Sequence, residues 1–424
     1  MNSPSLKRPQ AGMSLVELMV AMVISLVGVL VIFQVFAVNE DVRRTTTAGS
    51  DEQTSGLVAL LRLERELRLA GFGINDFDLM GCPVSMYDNQ SAPTAVPAFS
   101  LAPVRIVTNR DSANNNNPAT DQISIIYGDV SQTSASVALG TDMATATDTV
   151  TLTYRYGFHT GDRFVIGQQP PNLLATQVLV TCTMGEVNGL VGLIDLKHDG
   201  AGYINTVTGL ATQPRFNNPV GFPVLYPYLA GKVMNLGQNP VRETFSLTVG
   251  NADPSKNNKL YVQNIWADAA DPASQTQPVA EQIVALKAEY GMDDSNNNGS
   301  VTHAAYAVDD NIIDNYVDSN AATAPNNLNA AQYQGQQGWQ RVRSVRLAVV
   351  SRSLVAAKPL SGTTCDATPD FTDDANYQVR WARGPDAPAG KKIDLRNTGA
   401  DWRCYKYKVY ESVVPLRNVF WRQP

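Results

Sequence analysis

Side chains that carry chemistry are scarce in this chain. Its 424 residues include only three histidines, His159, His198 and His303, too scattered for an H-E-x-x-H zinc helix. There is no G-x-S-x-G nucleophile elbow. The nearest approach to a phosphate-binding loop is GPDAPAGKK, Gly384 to Lys392. Its glycine spacing is one residue too long and Lys391 is followed by Lys392 rather than Ser or Thr, so it reads as a loop bearing lysines. The expectation is a protein that is not an enzyme. Charge is sparse too, at 17 % of residues against about 25 % in average soluble proteins. With 33 Lys and Arg against 39 Asp and Glu, the net charge is −6. Phosphate neutralisation needs a basic face, so nucleic-acid binding is excluded as the main task.

Asn, Gln, Ser and Thr fill the gap, a composition common on envelope and extracellular surfaces. Hydrophobic residues, at 44 %, suffice for a core and exclude wholesale disorder. The length allows two or three domain-sized units, or one large β-rich body with an appendage. Four cysteines, Cys82, Cys182, Cys365 and Cys404, include no C-x-x-C pair, and their wide spacing fits disulfides better than zinc or a thioredoxin-type centre. Both features speak against a cytosolic housekeeping enzyme.

The amino terminus is organised differently from the rest. Residues 1–12, MNSPSLKRPQAG, are polar and positive through Lys7 and Arg8, and an apolar run follows from Met13 to Val38. After Glu17 that run is uncharged for about twenty residues, enough to cross a ~30 Å hydrocarbon core as a helix. In a secretory signal the small-residue cleavage site follows the apolar stretch. Here Gly12 precedes it, so cleavage would remove the basic leader and keep the hydrophobic helix. A carboxylate near the start of a span costs about 2.5–3.5 kcal/mol on the insertion scale and therefore calls for a partner. Cleavage after Gly12 would supply one, a positive α-amine on Met13, on the same chain or on a neighbouring helix. The first-turn position of Glu17 also suits the helix dipole.

The helix is expected to continue. Asn39 to Ala70 contains no proline, and Leu57, Leu60, Leu61, Leu63, Leu67 and Ala70 recur at helical spacing, with Gly71 and Gly73 as the stop. Such a helix of roughly 55–60 residues would be about 85 Å long. Arg62, Arg65 and Arg68 read as solvated or ion-paired stalk residues. Beyond it come short runs of β type, among them 104–109, 121–130, 148–154, 163–167, 177–184, 190–196, 243–250, 259–266, 343–355, 377–384 and 404–416. EQIVALKAEYGMD, 281–293, suits either helix or strand, while 112–120 and 311–337 read as surface loops.

Gly12-Met13-Ser14-Leu15-Val16-Glu17-Leu18 resembles the cleavage and methylation signal of type IV prepilins, which is shared with type II secretion pseudopilins. It departs from the usual pattern at Met13, where phenylalanine is common, and at Gln34, where many major pilins carry proline. RLERELRLAGFG, Cys82, IVALKAEYGMD, RVRSVRLAVVSRS and the closing VVPLRNVFW together resemble the PilW family of minor pilins. The resemblance covers both ends of the chain well and 85–275 poorly. It implies an α+β, pilin-like fold: a cleaved leader (1–12), a transmembrane or filament-core helix (13–38), an amphipathic stalk helix (39–73) and a large β-rich periplasmic head (74–424). It also implies cutting at Gly12–Met13 by a prepilin peptidase, N-methylation of Met13, and use of Glu17 in assembly. The implied partners are other minor pilins, a large tip adhesin and the inner membrane. The implied role is to prime pilus assembly from the tip, supporting adhesion and twitching motility. Two other readings stay open: a J-type type II secretion pseudopilin, and a membrane-anchored adhesin or glycan-binding surface protein.

Four cysteines allow three connectivities. A Cys365–Cys404 bond would close a loop of roughly 40 residues, worth about 4 kcal/mol by chain-entropy arithmetic. Cys82 with Cys182 would tie the stalk–head junction to the sheet. The only cofactor suggested is calcium, because Asp294, Asn296, Asn298 and Gly299 match the start of a calcium loop. Its twelfth position is Ala305 rather than Glu, so an EF-hand is not expected; Asp293, Asp309 or Asp310 are the candidate additional ligands.

Overall fold

The computed structural model describes residues 14–420 apart from 75, 77–78, 91–94, 109–119, 130–135, 148, 169–181, 207, 227–230, 249–256, 268–270, 272–275, 294–312, 314, 320–338, 340, 358–364 and 385–386. A single helix, α1, runs from Leu15 to Leu69, 55 residues without a break. It ends as the glycines require: Gly71 and Gly73 lie at φ 79° and 77°, in the left-handed region that side chains with a Cβ disfavour. The rest is mostly strand, giving the α+β class expected.

Two sheets support the second half of α1. One has five antiparallel strands in the order Gln277–Glu281, Lys259–Asn264, Val241–Thr248, Gln122–Tyr127, Val104–Val107. The other has four, in the order Asn315–Val317, Ile283–Met292, Val342–Arg352, Tyr407–Pro415. The chain passes from the first sheet to the second at Gln282, held at φ 57°. Arg352 fixes that corner, its Nε donating to Gln282 Oε1 at 3.0 Å. Further hydrogen bonds stitch the sheets together. Ile106 N–H donates to Tyr290 Oη at 2.6 Å, and Asp121 accepts from Lys287 Nζ at 2.7 Å and from Ala288 N–H at 2.9 Å.

The ambiguous 281–293 segment is therefore a strand, and its burial explains the ambiguity. Leu286, Ala288, Tyr290 and Met292 face the core beneath α1. Val284 and Ala285 face a second core containing Tyr377, Val379, Trp381, Ile393, Leu395 and Trp402. A strand buried on both faces loses the period-two alternation that would identify it. The C-terminal layer that covers the second face carries the Cys365–Cys404 disulfide.

A six-stranded sheet forms the other side of the head, in the order Ala95–Ser100, Pro83–Tyr87, Cys182–Glu186, Arg163–Gln168, Gly231–Gly237, Val137–Ala138. Its one parallel pair sets Val84 opposite Cys182, and Cys82 is bonded to Cys182 at that point. Two sequence expectations change here and in the C-terminal layer. LVGLIDL is not one strand but a hairpin, Gly189–Val191 with Asp195–Lys197, turning at Gly192 with φ 55°. Of 377–384 only Arg380–Trp381 is strand, because the flanking side chains plug the second core instead of alternating. The loop-like 112–119 and most of 311–337 fall outside the described residues, but within the latter Asn315–Val317 is an edge strand, not a loop, because it pairs with Tyr290–Met292.

The disulfides span 100 and 39 residues, and loops of these lengths remove about 4–5 kcal/mol of unfolded-chain entropy each. A Cys365→Ser/Cys404→Ser double variant is expected to lower the urea midpoint of the detergent-solubilised chain. A midpoint equal to wild type would show that this staple contributes nothing.

Candidate assembly site: the amino-terminal helix and its seat

The first part of α1 has nothing packed on it. Leu15–Ala37 has a mean hydropathy of 2.8 and none of it is buried, which makes it long and apolar enough to cross a membrane. Glu17 is the only charge in that stretch and is exposed in its first turn. Its carboxylate reaches back to the Ser14 N–H at 3.4 Å, the reciprocal arm of a capping box. Within its own chain, then, Glu17 helps satisfy the free N–H groups of the helix start. Gly12 and Met13 lie outside the described residues.

The seated part begins near Glu52. Glu52, Gly56, Ala59, Leu60, Leu63, Leu67 and Ala70 are buried, a stripe at spacings of three and four. Ala59, Leu60, Leu63, Leu67 and Ala70 share one core cluster with Ile123, Ile125, Phe245, Leu347, Val349 and Val414 from both supporting sheets. Each fully buried leucine contributes about 1.5–3 kcal/mol. Leu57 and Leu61, expected on this face, are instead 47 % and 61 % exposed. They sit roughly 100–140° around the helix from Gly56, so the leucines span a wide arc and their spacing does not say which part of it is seated. Gly56 shows which side faces in, since a Cβ there would overlap the Tyr410 ring.

Charge organises the middle of the seat. Arg62 pairs with Glu66 at 2.7 Å and with Glu243 at 3.0 Å, and Tyr127 Oη donates to Glu66 Oε2 at 2.9 Å. Desolvation, reinforced by Glu66, raises the Glu243 carboxyl above its ordinary range, while Arg62 opposes the shift. Arg68 pairs with Glu64 at 2.8 Å. These stalk arginines therefore hold the helix to itself and to the head. At the end of the helix, three carbonyls without intrahelical donors need partners. Asn418, on the short helix Arg417–Phe420, shares its two Nδ2 hydrogens among them, lying 3.3, 3.2 and 3.1 Å from the carbonyls of Arg68, Leu69 and Ala70, and Phe72 N–H also donates to Leu69 O at 3.1 Å. Gly71 N–H donates to Ile126 O at 2.9 Å, and Gly128 N–H to Phe72 O at 2.7 Å, so the exit is sewn into the five-stranded sheet.

Glu52, Gly56, Tyr127 and Asn418 escaped the sequence reading, and Glu66, read with the charges on the other positions of the helix, is buried instead. Among the described residues no group of three or more His, Cys, Asp or Glu side chains could hold a metal ion. The calcium-type residues Asp294, Asn296 and Asn298 lie outside the described residues, as do Asp309 and Asp310. Asp293 is buried on Arg343, with Oδ2 2.9 Å from Nε. In the lysine-bearing loop, Lys391 is held by Glu289 and Lys392 by Asp374, at 2.5 Å for the latter.

Comparison with known proteins gives two matches. The family model described as Type IV Pilus-assembly protein W matches residues 246–418, and the one described as Prokaryotic N-terminal methylation motif matches 7–33. The second span contains Gly12, Met13 and Glu17, and the first contains most of the sheet surface under α1, together with Asn418. No curated protein and no solved structure matches the chain.

Burial of Glu52 pushes its carboxyl up to about 7, with Lys408 and Lys406 opposing the shift. Because the folded value lies above the unfolded value of 4.5, the folded state binds the proton more tightly. The associated stability is present below pH 4.5 and is lost as pH rises to about 7, by no more than ~3 kcal/mol. Glu52→Gln is expected to flatten the urea midpoint between pH 5 and 8, whereas a wild-type slope in the variant would contradict this assignment.

Proposed function

We propose that the chain is a PilW-like type IV pilin anchored by its amino-terminal helix and, more closely, a minor pilin, a structural subunit that primes pilus assembly from the tip. The observation that carries the reading is the division of α1. Its first 23 residues are bare and apolar, while its last turns are a core element of the region that matches the PilW model. A helix built in this way suits both lodging in a membrane and lodging among other helices, since both surround it with apolar groups. The head need not rearrange when one environment replaces the other.

The leader keeps Lys7 and Arg8 on the cytoplasmic side, as the positive-inside rule directs. A prepilin peptidase then cuts between Gly12 and Met13 and the new amine is methylated, leaving the head in the periplasm. In the membrane, the Ser14 contact and the helix dipole accommodate Glu17. In the filament, its carboxylate pairs with the positive terminus of a neighbouring subunit, which sets the axial register. The structural role agrees with the absence of catalytic motifs in the sequence. Location at the tip, contact with other minor pilins and a large adhesin, and support of adhesion and twitching belong to this proposal.

Intact-mass measurement and N-terminal sequencing of membrane preparations, with and without the peptidase, test it. A chain starting at N-methyl-Met13 only when the peptidase is present is the expected result; a Met1 start under both conditions would overturn the reading. Glu17→Ala should be processed normally yet reduce surface pili, and wild-type pilus numbers would remove the assembly role of Glu17.

A further inference from the structure

Outside α1 and its exit at Gly73, eleven large apolar side chains stand exposed among the described residues. Nine of them fall between Tyr154 and Leu225, and only Leu354 and Val413 lie in the span that matches the PilW model. Exposed apolar groups scattered singly are ordinary, but a concentration on one lobe marks a contact surface. Five of the nine, Tyr154, Tyr156, Val191, Leu193 and Ile194, lie on or beside the three-stranded sheet of Thr149–Thr151, Asp195–Lys197 and Gly189–Val191.

Part of this surface forms a groove of about 520 Å³ between the 154–159 segment and the 192–194 turn, lined by Tyr154, Arg155, Tyr156, His159, Leu193 and Ile194. Tyr156 is 76 % exposed and Leu193 86 %. The mount under these side chains is braced. Arg155 Nη2 donates to Gly192 O at 2.9 Å, and Asn235 Nδ2 donates to Gly157 O at 2.9 Å and to Asp162 Oδ2 at 2.8 Å. Asp162 also accepts from the His159 N–H at 2.8 Å. Exposed rings on a mount already ordered by such bonds lose little freedom on docking, which favours binding.

The lining chemistry selects the occupant. No Asp, Glu, Asn or Gln lines the groove, so a saccharide would find there only tyrosine hydroxyls, two basic side chains and backbone groups as polar partners. Aliphatic tips such as Leu193 and Ile194 suit apolar protein side chains. Tyrosine and arginine are the side chains enriched where protein partners bind most tightly. Of the basic side chains of the lining, His159 already faces the Asp162 carboxylate, with Nδ1 3.7 Å from Oδ2, so Arg155 is the charge offered to a partner and a complementary surface carries carboxylate.

We propose that this groove is the docking site for the head of a different subunit of the same filament, presenting an apolar side chain flanked by a carboxylate. The inference rests on the pilin reading and deepens it by placing the subunit contact on the lobe outside the PilW match. The test is site-specific photo-crosslinking of the full-length chain in pilus-assembling cells, with a benzophenone amino acid at Leu193 and, as control, at Leu354. The expected adduct joins residue 193 to another prepilin-type protein, mapped by mass spectrometry to a peptide containing Asp or Glu. Arg155→Glu should reduce it at least tenfold while Arg155→Lys preserves it. Reversing the mapped carboxylate to lysine should restore it in the Arg155→Glu chain. Tyr156→Ser, which truncates an exposed ring without disturbing the core, should also weaken it. An adduct no stronger than at Leu354, or one formed only with a second copy, a lipid or a saccharide, would overturn the proposal. A chain correctly cut at Met13 and present in pili, but giving no adduct at 193, would remove this inference and leave the pilin reading standing.

Discussion

One continuous helix has to satisfy two surroundings, and most of the architecture follows from that constraint. From Leu15 to Ala37 every outward direction must be apolar, because nothing in the head covers it. From Glu52 onward one side must fit a folded core, so the apolar residues narrow to a stripe. A hinge between these parts would let the head be a separate object on a tether. No glycine pair or proline interrupts the helix, and the seat is closed at its far end by Asn418 and by the backbone bonds of Gly71 and Gly128. Anchor and head are thus mechanically one piece.

The seat draws its surface from strands far apart in sequence, which makes it a global rather than a local feature. Ile123, Phe245, Leu347 and Val414 all belong to the one core cluster that holds the seated side of α1. The two sheets that bring them together meet at Gln282 and are tied by Tyr290 and Asp121. Buried charge is tolerated here because it is paired. The Arg62, Glu66, Glu243 and Tyr127 cluster satisfies itself across the helix–sheet boundary, so removing one member would strand the others in a dry site. Glu52 is the exception, a carboxyl whose burial outweighs the lysines beside it.

Local signals were legible in the sequence and long-range ones were not. The apolar run after Glu17 and the glycines at 71 and 73 follow from composition and spacing close to the residues concerned. The disulfide pairing does not, since four cysteines allow three connectivities and the partners lie 100 and 39 residues apart. The placement of Leu57 and Leu61 does not, because which side of a helix faces inward depends on what it meets, here the Tyr410 ring against Gly56. The strands Pro83–Tyr87 and Gly231–Gly237 escaped notice for a related reason. They contain proline or glycine and short apolar runs, and they are strands because the neighbouring ladder and the Cys82–Cys182 bond hold them there. LVGLIDL looked like one strand because Gly192 turns the chain without a polar break. The exposed lobe around Tyr156 and Leu193 could not be read at all, since exposure is a property of the folded surface.

The central claim is that α1 is one helix with a free half and a half that belongs to the core of the head. Amide hydrogen exchange on the full-length chain in detergent micelles measures this directly. Amides of residues 59–69 should exchange as slowly as those of the Ile283–Met292 and Val342–Arg352 strands and lose protection together with them in urea. Exchange in 59–69 at the rate of a solvent-exposed helix, while those strands remain protected, would contradict the account.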